Sequence, residues 1–88
     1  MRVHLGGHLN FYDRERRAWL EVPAPESLSL LALCERLGVP PEEVGVAAVN
    51  GVVVALEEAR VADGDTVEFY SPVGGGWISG VGNALRGA

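Results

Sequence analysis

The sequence predicts an α+β domain in which one helix covers one face of a mixed β-sheet. Two observations lead to this prediction. Apolar and polar residues alternate near the start, in the middle and in the last third of the chain, a pattern typical of half-buried strands. Between these segments lies one stretch whose apolar residues recur at helical spacing. The predicted order is therefore strand, strand, helix, strand, strand, strand.

Length and composition limit the classes of function. The 88 residues, 48% of them hydrophobic, allow a single modest core. A formal net charge of −5 without a long basic run argues against binding to nucleic acid. No segment has the apolar length of a membrane span or of a secretory signal, so we expect no membrane partner and a cytoplasmic location. All seven basic residues are arginine, so the chain offers no lysine as an isopeptide acceptor.

The first third of the chain predicts a hairpin. Val3 and Leu5 alternate with polar residues in a strand that begins near Arg2 and ends or bulges at Gly6–Gly7. A charged connection follows, and residues 17–22 alternate again, with Leu20 and Val22 on one face and Trp19 and Glu21 on the other. Pro23 and Pro25 then interrupt the strand pattern.

The helix is predicted from Ser27, as its N-cap, to about Leu37, with Gly38 at its C-terminus and Pro40–Pro41 preventing continuation. Its predicted apolar face consists of Leu30, Leu31, Cys34 and Leu37. Cys34 is the single cysteine, which excludes an internal disulfide, and we expect it to be buried and unreactive.

The second half predicts three more strands. Residues 46–49 and 52–54 flank Asn50–Gly51, a strong hairpin signal. Asp63–Gly64–Asp65 predicts a turn, and two carboxylates around a glycine form turns far more often than metal or acid–base sites. The last strand, residues 66–71, has Val67 and Phe69 on one face and Glu68 and Tyr70 on the other. His4 and His8 have no evident third ligand, so no metal site is predicted.

Three pieces of the chain are informative together: Val49–Asn50–Gly51, the segment from Val61 to Val67, and Pro72–Val73–Gly74–Gly75–Gly76. In these pieces the chain resembles the MoaD/ThiS family of ubiquitin-like sulfur carriers. The resemblance spans roughly residues 1–76, and the order and spacing of the pieces are more specific than any one of them. It implies a β-grasp fold whose first and last strands are parallel and adjacent. The implied division is a β-grasp domain (1–73), a glycine-rich reactive tail (74–76) and a C-terminal extension (77–88).

The resemblance also implies a chemistry. In this family an activating enzyme uses ATP to adenylate the carboxylate of the terminal glycine. Sulfur then displaces AMP and leaves a thiocarboxylate, which is delivered to a sulfur-accepting synthase. The match to the motif implies that Gly76 is the reactive residue. Gly74 and Gly75, which precede it, have no side chains and could therefore enter a narrow active-site channel. The chain would thus be a co-substrate that binds no cofactor itself, or the small subunit of a molybdopterin-synthase-type complex.

The segment after the glycine run departs from the family pattern. The Gly76 carbonyl is in an amide bond to Trp77 and cannot be adenylated in that state. Carriers with such extensions exist in the wider family, where a JAMM-type zinc metalloprotease trims them to the diglycine. We therefore expect cleavage between Gly76 and Trp77, and we expect the protease to recognise the bulky side chain of Trp77.

Partner binding is predicted on the sheet face away from the helix. Strand alternation places Trp19 there with Tyr70 and His4, and exposed aromatic residues of this kind mark partner sites. Pro72 and Val73, which lead into the glycine run, are included in this partner-binding set. The alternative is that the extension folds back and covers the same patch.

Two further functions fit the sequence. A protein modifier would use the same adenylate of Gly76 but transfer the acyl group to lysines of target proteins. A non-covalent interaction subunit would keep its extension, with the glycines as a hinge. The recipient of the sulfur, which could belong to molybdopterin, thiazole, cysteine or other biosynthesis, is left open by the sequence, as is the oligomeric state.

Overall fold

A computed structural model describes residues 1–72 of the chain. Its centre is a five-stranded sheet. In chain order, the elements are β1 (Arg2–Leu5), a 3₁₀ turn (Leu9–Tyr12), β2 (Trp19–Glu21), β3 (Leu28–Ser29), α1 (Leu30–Leu37), a second 3₁₀ turn (Pro41–Glu43), β4 (Val46–Val49), β5 (Val52–Val54), β6 (Arg60–Val61) and β7 (Thr66–Tyr70).

The large sheet has the strand order β2-β1-β7-β4-β5. β1 and β7 are parallel and adjacent, with Val3 opposite Val67 and Leu5 opposite Phe69. The other three pairings are antiparallel. A central parallel pair formed by the first and last strands, with one helix across one face, is the arrangement that the β-grasp expectation requires.

The core lies between this sheet and α1. The four inward residues of the parallel pair and one face of the helix are buried there: Val3, Leu5, Val67, Phe69, Leu30, Leu33 and Cys34. Burial in this apolar environment disfavours the thiolate and raises the pKa of Cys34 to about 11. The cysteine is therefore a packing residue, as expected from the sequence.

The start and the phase of the helix differ from the prediction. The N-cap is Ser29 and not Ser27, since the Ser29 hydroxyl accepts a 3.1 Å hydrogen bond from the Ala32 amide. Ser27 instead accepts a 3.0 Å hydrogen bond from the Arg60 guanidinium. The predicted core residue Leu31 is 36% exposed.

A short second sheet explains the shift. β3 pairs with β6 and holds the chain extended through Leu28–Ser29, so the helix cannot begin earlier. With the helix beginning at Leu30, the buried positions fall at Leu30, Leu33 and Cys34, while Leu37 is partly buried. The sequence prediction included Leu31 in this face and omitted Leu33.

Two turns fix the start of β7. Asn50 and Gly51 both have positive φ, 52° and 83°, as a two-residue hairpin turn requires. The Asn50 side chain accepts a hydrogen bond from the Thr66 amide and donates one to Asp65, both at 2.9 Å. Asp65 also accepts a 2.9 Å bond from the Ala62 amide, and these bonds hold its pKa below the usual value, the one from Asn50 most strongly. The two motifs thus join into one hydrogen-bonded unit.

Candidate functional site

The chain leaves the sheet at the C-terminal end of β7, its central strand, through Ser71 and Pro72, the last described residues. We call this point the strand exit. Because β1 runs parallel to β7, the residues after β1 lie beside this exit, and because β4 is antiparallel, the residue before β4 lies on its other side. The Gly6 amide donates a 2.8 Å hydrogen bond to the Phe69 carbonyl, and the Gly45 amide donates a 2.7 Å bond to the Tyr70 carbonyl. The backbone on both sides therefore fixes where the chain leaves the domain.

Glycine is required on both sides of the exit. A Cβ at Gly45 would lie 2.9 Å from the N, Cα and Cβ atoms of Pro72, and one at Gly7 would lie 2.3 Å from Ser71 Oγ. One at Gly6 would lie 2.5 Å from the ring of Tyr70. We call Gly6, Gly7 and Gly45 the exit glycines. Gly7 has φ +63°, so its conformation as well as its surroundings favours glycine.

A chain of polar side chains lies beside the exit. Ser71 is fully buried, and its Oγ is 3.5 Å from His8 Nδ1. His8 Nε2 is 3.5 Å from Glu43 Oε1, which also accepts a 3.3 Å hydrogen bond from the Tyr12 hydroxyl. Desolvation and the Glu43 carboxylate raise the pKa of Tyr12. The order serine, histidine, glutamate resembles a nucleophilic triad.

Burial of Ser71 and the lengths of these contacts determine whether the three residues could act as a catalytic triad. A fully buried Ser71 hydroxyl cannot reach a substrate, and contacts of 3.5 Å are at the limit of hydrogen bonding. The cluster therefore lies beside the strand exit without the geometry of a nucleophilic triad. Neither this cluster nor the exit glycines were predicted from the sequence, although Gly6–Gly7 was expected to end or distort β1.

The second surface of interest is the sheet face opposite α1. Trp19 is 43% exposed, and the centroid of its ring lies 4.7 Å from that of His4, which in turn lies 5.6 Å from that of Tyr70. The Arg2 guanidinium lies 4.4 Å above the Trp19 ring. We call Trp19, His4 and Tyr70 the aromatic patch. Its position is the one that strand alternation predicts, and its role in partner binding is a prediction.

Two members of this patch, Tyr70 and His4, differ in how their polar atoms are satisfied. The Tyr70 hydroxyl donates a 2.7 Å hydrogen bond to Glu68 Oε2, and burial together with that carboxylate raises the pKa of Tyr70 to about 12. Tyr70 is therefore neutral at physiological pH. His4 Nδ1 is inaccessible to solvent and has no hydrogen-bond partner within the described chain, which leaves a polar atom unsatisfied within the aromatic patch.

The predicted reactive residues lie beyond this geometry. Pro72 is placed at the exit and is exposed, whereas Val73, the glycine run 74–76 and Trp77 fall outside the described residues. Within residues 1–72, no group of three His, Cys, Asp or Glu side chains could hold a metal ion. In that same part of the chain, no helix has the length and apolarity needed to cross a membrane.

The comparisons with known proteins agree with this architecture. A model described as the ThiS family matches residues 9–76, well over half of the chain, and the matched region ends at Gly76. A search of curated proteins and a search of solved structures gave no match. Members of the matched family are small β-grasp carrier proteins that generally act with activating enzymes and sulfur-accepting synthases. This match, with which the β-grasp fold agrees, shows that the chain belongs to the ThiS family of ubiquitin-like proteins.

Proposed function

We propose that this protein carries sulfur as a thiocarboxylate on Gly76, after removal of the residues that follow it. The observation that supports this most directly is the strand exit. Exit glycines hold Ser71 and Pro72 in place, and the glycine run begins two residues beyond Pro72. A rigid domain followed by a thread without side chains suits delivery of an acyl carbon into a narrow active site.

The proposed chemistry proceeds in two transfers. The Gly76 carboxylate attacks the α-phosphate of ATP in the activating enzyme, which releases pyrophosphate and forms an acyl adenylate. Hydrosulfide supplied by the sulfur donor then attacks the acyl carbon and displaces AMP, which leaves the thiocarboxylate. The carrier provides the electrophilic carbon, while ATP and the catalytic groups belong to the activating enzyme. The carrier itself binds no cofactor.

Trimming is part of the proposal because an amide carbonyl cannot form the adenylate. The family match ends at Gly76, the residue before the proposed cleavage site. The proposed protease is of the zinc metalloprotease type that trims similar carriers, and we place both steps in the cytoplasm. Molybdopterin and thiazole synthesis use the same carrier chemistry, so the accepting synthase identifies the pathway.

A loading assay tests the function. The chain prepared to end at Gly76 and the chain with all 88 residues are each incubated with an activating enzyme of the family, ATP and a sulfur donor. We expect pyrophosphate release and the mass increase of sulfur for oxygen only in the trimmed form. A Gly76→Val variant of the trimmed form is the matched control, and we expect it to fold normally but load poorly. Absence of adenylate from the trimmed wild type would reject the proposal, and transfer to lysines of other proteins would favour the modifier function.

The aromatic patch is the proposed docking surface for the activating enzyme and the synthase. Trp19 is exposed beside Arg2 and His4 on the uncovered sheet face, and tryptophan residues in such positions are frequent binding hot spots. We expect Trp19→Ala to raise the Kd for the activating enzyme by about tenfold, equivalent to ~1.4 kcal/mol. Val52→Ala, an exposed change outside the patch, should leave the Kd unchanged.

A further inference from the structure

Two exposed aromatic side chains lie in the connection between β1 and β2. Phe11 is 63% exposed, the highest value among the aromatic residues within positions 1–72, and Tyr12 beside it is 39% exposed. The Phe11 ring adds little to the core, whereas exposed aromatic residues are frequent anchors of protein–protein contacts. We call residues 9–17 the β1–β2 loop.

Hydrogen bonds hold this loop in one conformation. The Asp13 carboxylate accepts a 2.8 Å bond from the Arg17 amide and two 3.0 Å bonds from the Arg17 guanidinium. The Asn10 side chain donates a 3.1 Å bond to the Arg16 carbonyl, which joins the two ends of the loop. Because the loop is already ordered, binding through it costs little conformational entropy.

The position of Phe11 depends on Arg16. The Arg16 guanidinium donates a 2.6 Å hydrogen bond to the Phe11 carbonyl and lies 5.0 Å from the centroid of the Phe11 ring. The φ of Arg16 is 60°, in the left-handed region that is unfavourable for residues other than glycine. The backbone therefore does not explain an arginine here, whereas its side chain supports Phe11 and places a positive charge beside it.

The loop is also basic within an acidic chain. Residues 13–17 contain three arginines and two acidic residues, although the chain as a whole has a net charge of −5. Arg17 forms ion pairs with Asp13 at 3.0 Å and with Glu15 at 3.7 Å. Arg14 and Arg16 form no ion pair within residues 1–72. A partner that accommodates Phe11 should therefore place carboxylates beside its apolar pocket.

The loop lies at the end of the domain from which the glycine run continues. His8, the residue before the loop, is 3.5 Å from the buried Ser71, and the Tyr12 hydroxyl donates a 3.3 Å hydrogen bond to Glu43. Gly76 follows Pro72 by four residues, and four residues span at most about 14 Å. An enzyme that binds Gly76 in its active site therefore comes close to the loop.

We propose that the β1–β2 loop is a contact site for the activating enzyme, with Phe11 in an apolar pocket whose rim carries carboxylates that pair with Arg14 and Arg16. This site is separate from the aromatic patch, since no residue of the patch belongs to the loop. The inference rests on the proposed function, because that function supplies the partner.

Titration calorimetry tests the contact. The full chain and the chain that ends at Gly76 are each titrated into an activating enzyme of the family, without ATP. In each form that binds, we expect Phe11→Ala to raise the Kd about tenfold. Val52→Ala removes an apolar side chain of nearly equal exposure, 62%, outside the loop and should leave the Kd unchanged.

The failures of the two proposals are distinguishable. Wild-type binding that is unaffected by Phe11→Ala would overturn this inference and leave the sulfur-carrier function intact. Absence of binding by both wild-type forms would also overturn it, and the loading assay then decides separately on the proposed function. A dimer of the chain alone that is lost in Phe11→Ala, as seen by sedimentation, would make a second copy the partner and overturn the inference as well.

A matched pair of arginine variants tests the carboxylates of the partner. Arg14→Gln and Arg36→Gln change the charge equally at two exposed positions, one in the loop and one in the last turn of α1. We expect Arg14→Gln to raise the Kd about three-fold and to reduce its dependence on salt concentration, and Arg36→Gln to do neither. Equal effects of the two variants would show that net charge alone acts and would overturn the assignment of carboxylates to the pocket.

Discussion

The two ends of β7 are held by different means. At its start, Thr66 is fixed by side-chain hydrogen bonds, with Asn50 joined both to its amide and to Asp65. At its other end, Ser71 and Pro72 are fixed by close backbone packing against Gly7 and Gly45, where no side chain fits. The first end uses side-chain hydrogen bonds, whereas the second uses backbone hydrogen bonds and close packing that leaves no room for a Cβ.

This difference separates structural motifs from functional ones. The Asn–Gly hairpin and the Asp–Gly–Asp turn stabilise the central strand and lie far along the sheet from the point where the tail leaves. The exit glycines fix the positions of Ser71 and Pro72, the last described residues before the glycine run. Changes at the start of β7 should therefore affect stability alone, whereas changes at its exit should affect stability and sulfur loading together.

The largest effect is expected from Gly7→Ala. The new Cβ would lie 2.3 Å from the buried Ser71 Oγ, and its backbone has φ +63°. Positive φ and overpacking together should lower the free energy of unfolding by about 3 kcal/mol. Urea unfolding measures this loss.

A matched control separates the two causes. Gly38 has φ +74° but no atom within 4 Å of an added Cβ, so Gly38→Ala reports the backbone cost alone, about 1 kcal/mol. Adding Ser71→Ala to Gly7→Ala should recover part of the difference. Equal losses at Gly7 and Gly38 would show that the contact with Ser71 does not constrain the exit.

Gly45→Ala comes next. Its Cβ would lie 2.9 Å from Pro72 backbone atoms, which cannot rotate away, so the exit must shift. We expect a loss of about 2 kcal/mol in unfolding free energy. In the chain trimmed to Gly76, sulfur loading should also slow, as measured by intact mass over time. A destabilised variant that loads at the wild-type rate would contradict the link between exit geometry and function.

Asn50→Gly probes the start of the strand. Glycine keeps the positive φ of the turn but removes the bonds to the Thr66 amide and Asp65. The expected loss is about 1 kcal/mol by urea unfolding. Loading of the folded, trimmed protein should be unchanged. A loading defect as large as that of Gly45→Ala would remove the distinction between the two ends.

The smallest effects concern pH and have opposite signs. The lowered pKa of Asp65 contributes stability above its usual pKa of 3.8, and this is lost as the pH falls through the folded-state value. The raised pKa of Tyr70 contributes stability up to pH 10, lost as the pH rises toward 12. In thermal unfolding, Asn50→Gly should reduce the stability lost at acidic pH, and Tyr70→Phe should reduce the stability lost at alkaline pH. Unchanged pH profiles in both variants would contradict these assignments.

The features that depend on local chemistry could be predicted from the sequence. Asn50–Gly51 specifies a turn through residues that tolerate positive φ, and strand alternation places Trp19 and Tyr70 on one face because its period is two. The parallel pair β1 and β7 followed from the family resemblance, and the structure confirms it.

The features that were missed depend on contacts between distant segments. The exit glycines are recognisable only when residues 6–7 and 45 are seen beside Ser71 and Pro72. Likewise, the correct N-cap and helix phase depend on pairing between β3 and β6, which holds Leu28–Ser29 extended. Two-residue strands have no periodicity of their own, so neither could be predicted from its sequence.

The most direct test of the central claim is the intact mass of the protein isolated from its native cells while the pathway is active. We predict a species that ends at Gly76, part of it carrying the mass increase of sulfur in place of one oxygen. A population in which every chain keeps the segment after Gly76 would contradict the sulfur-carrier account. It would favour a subunit that uses this segment for binding.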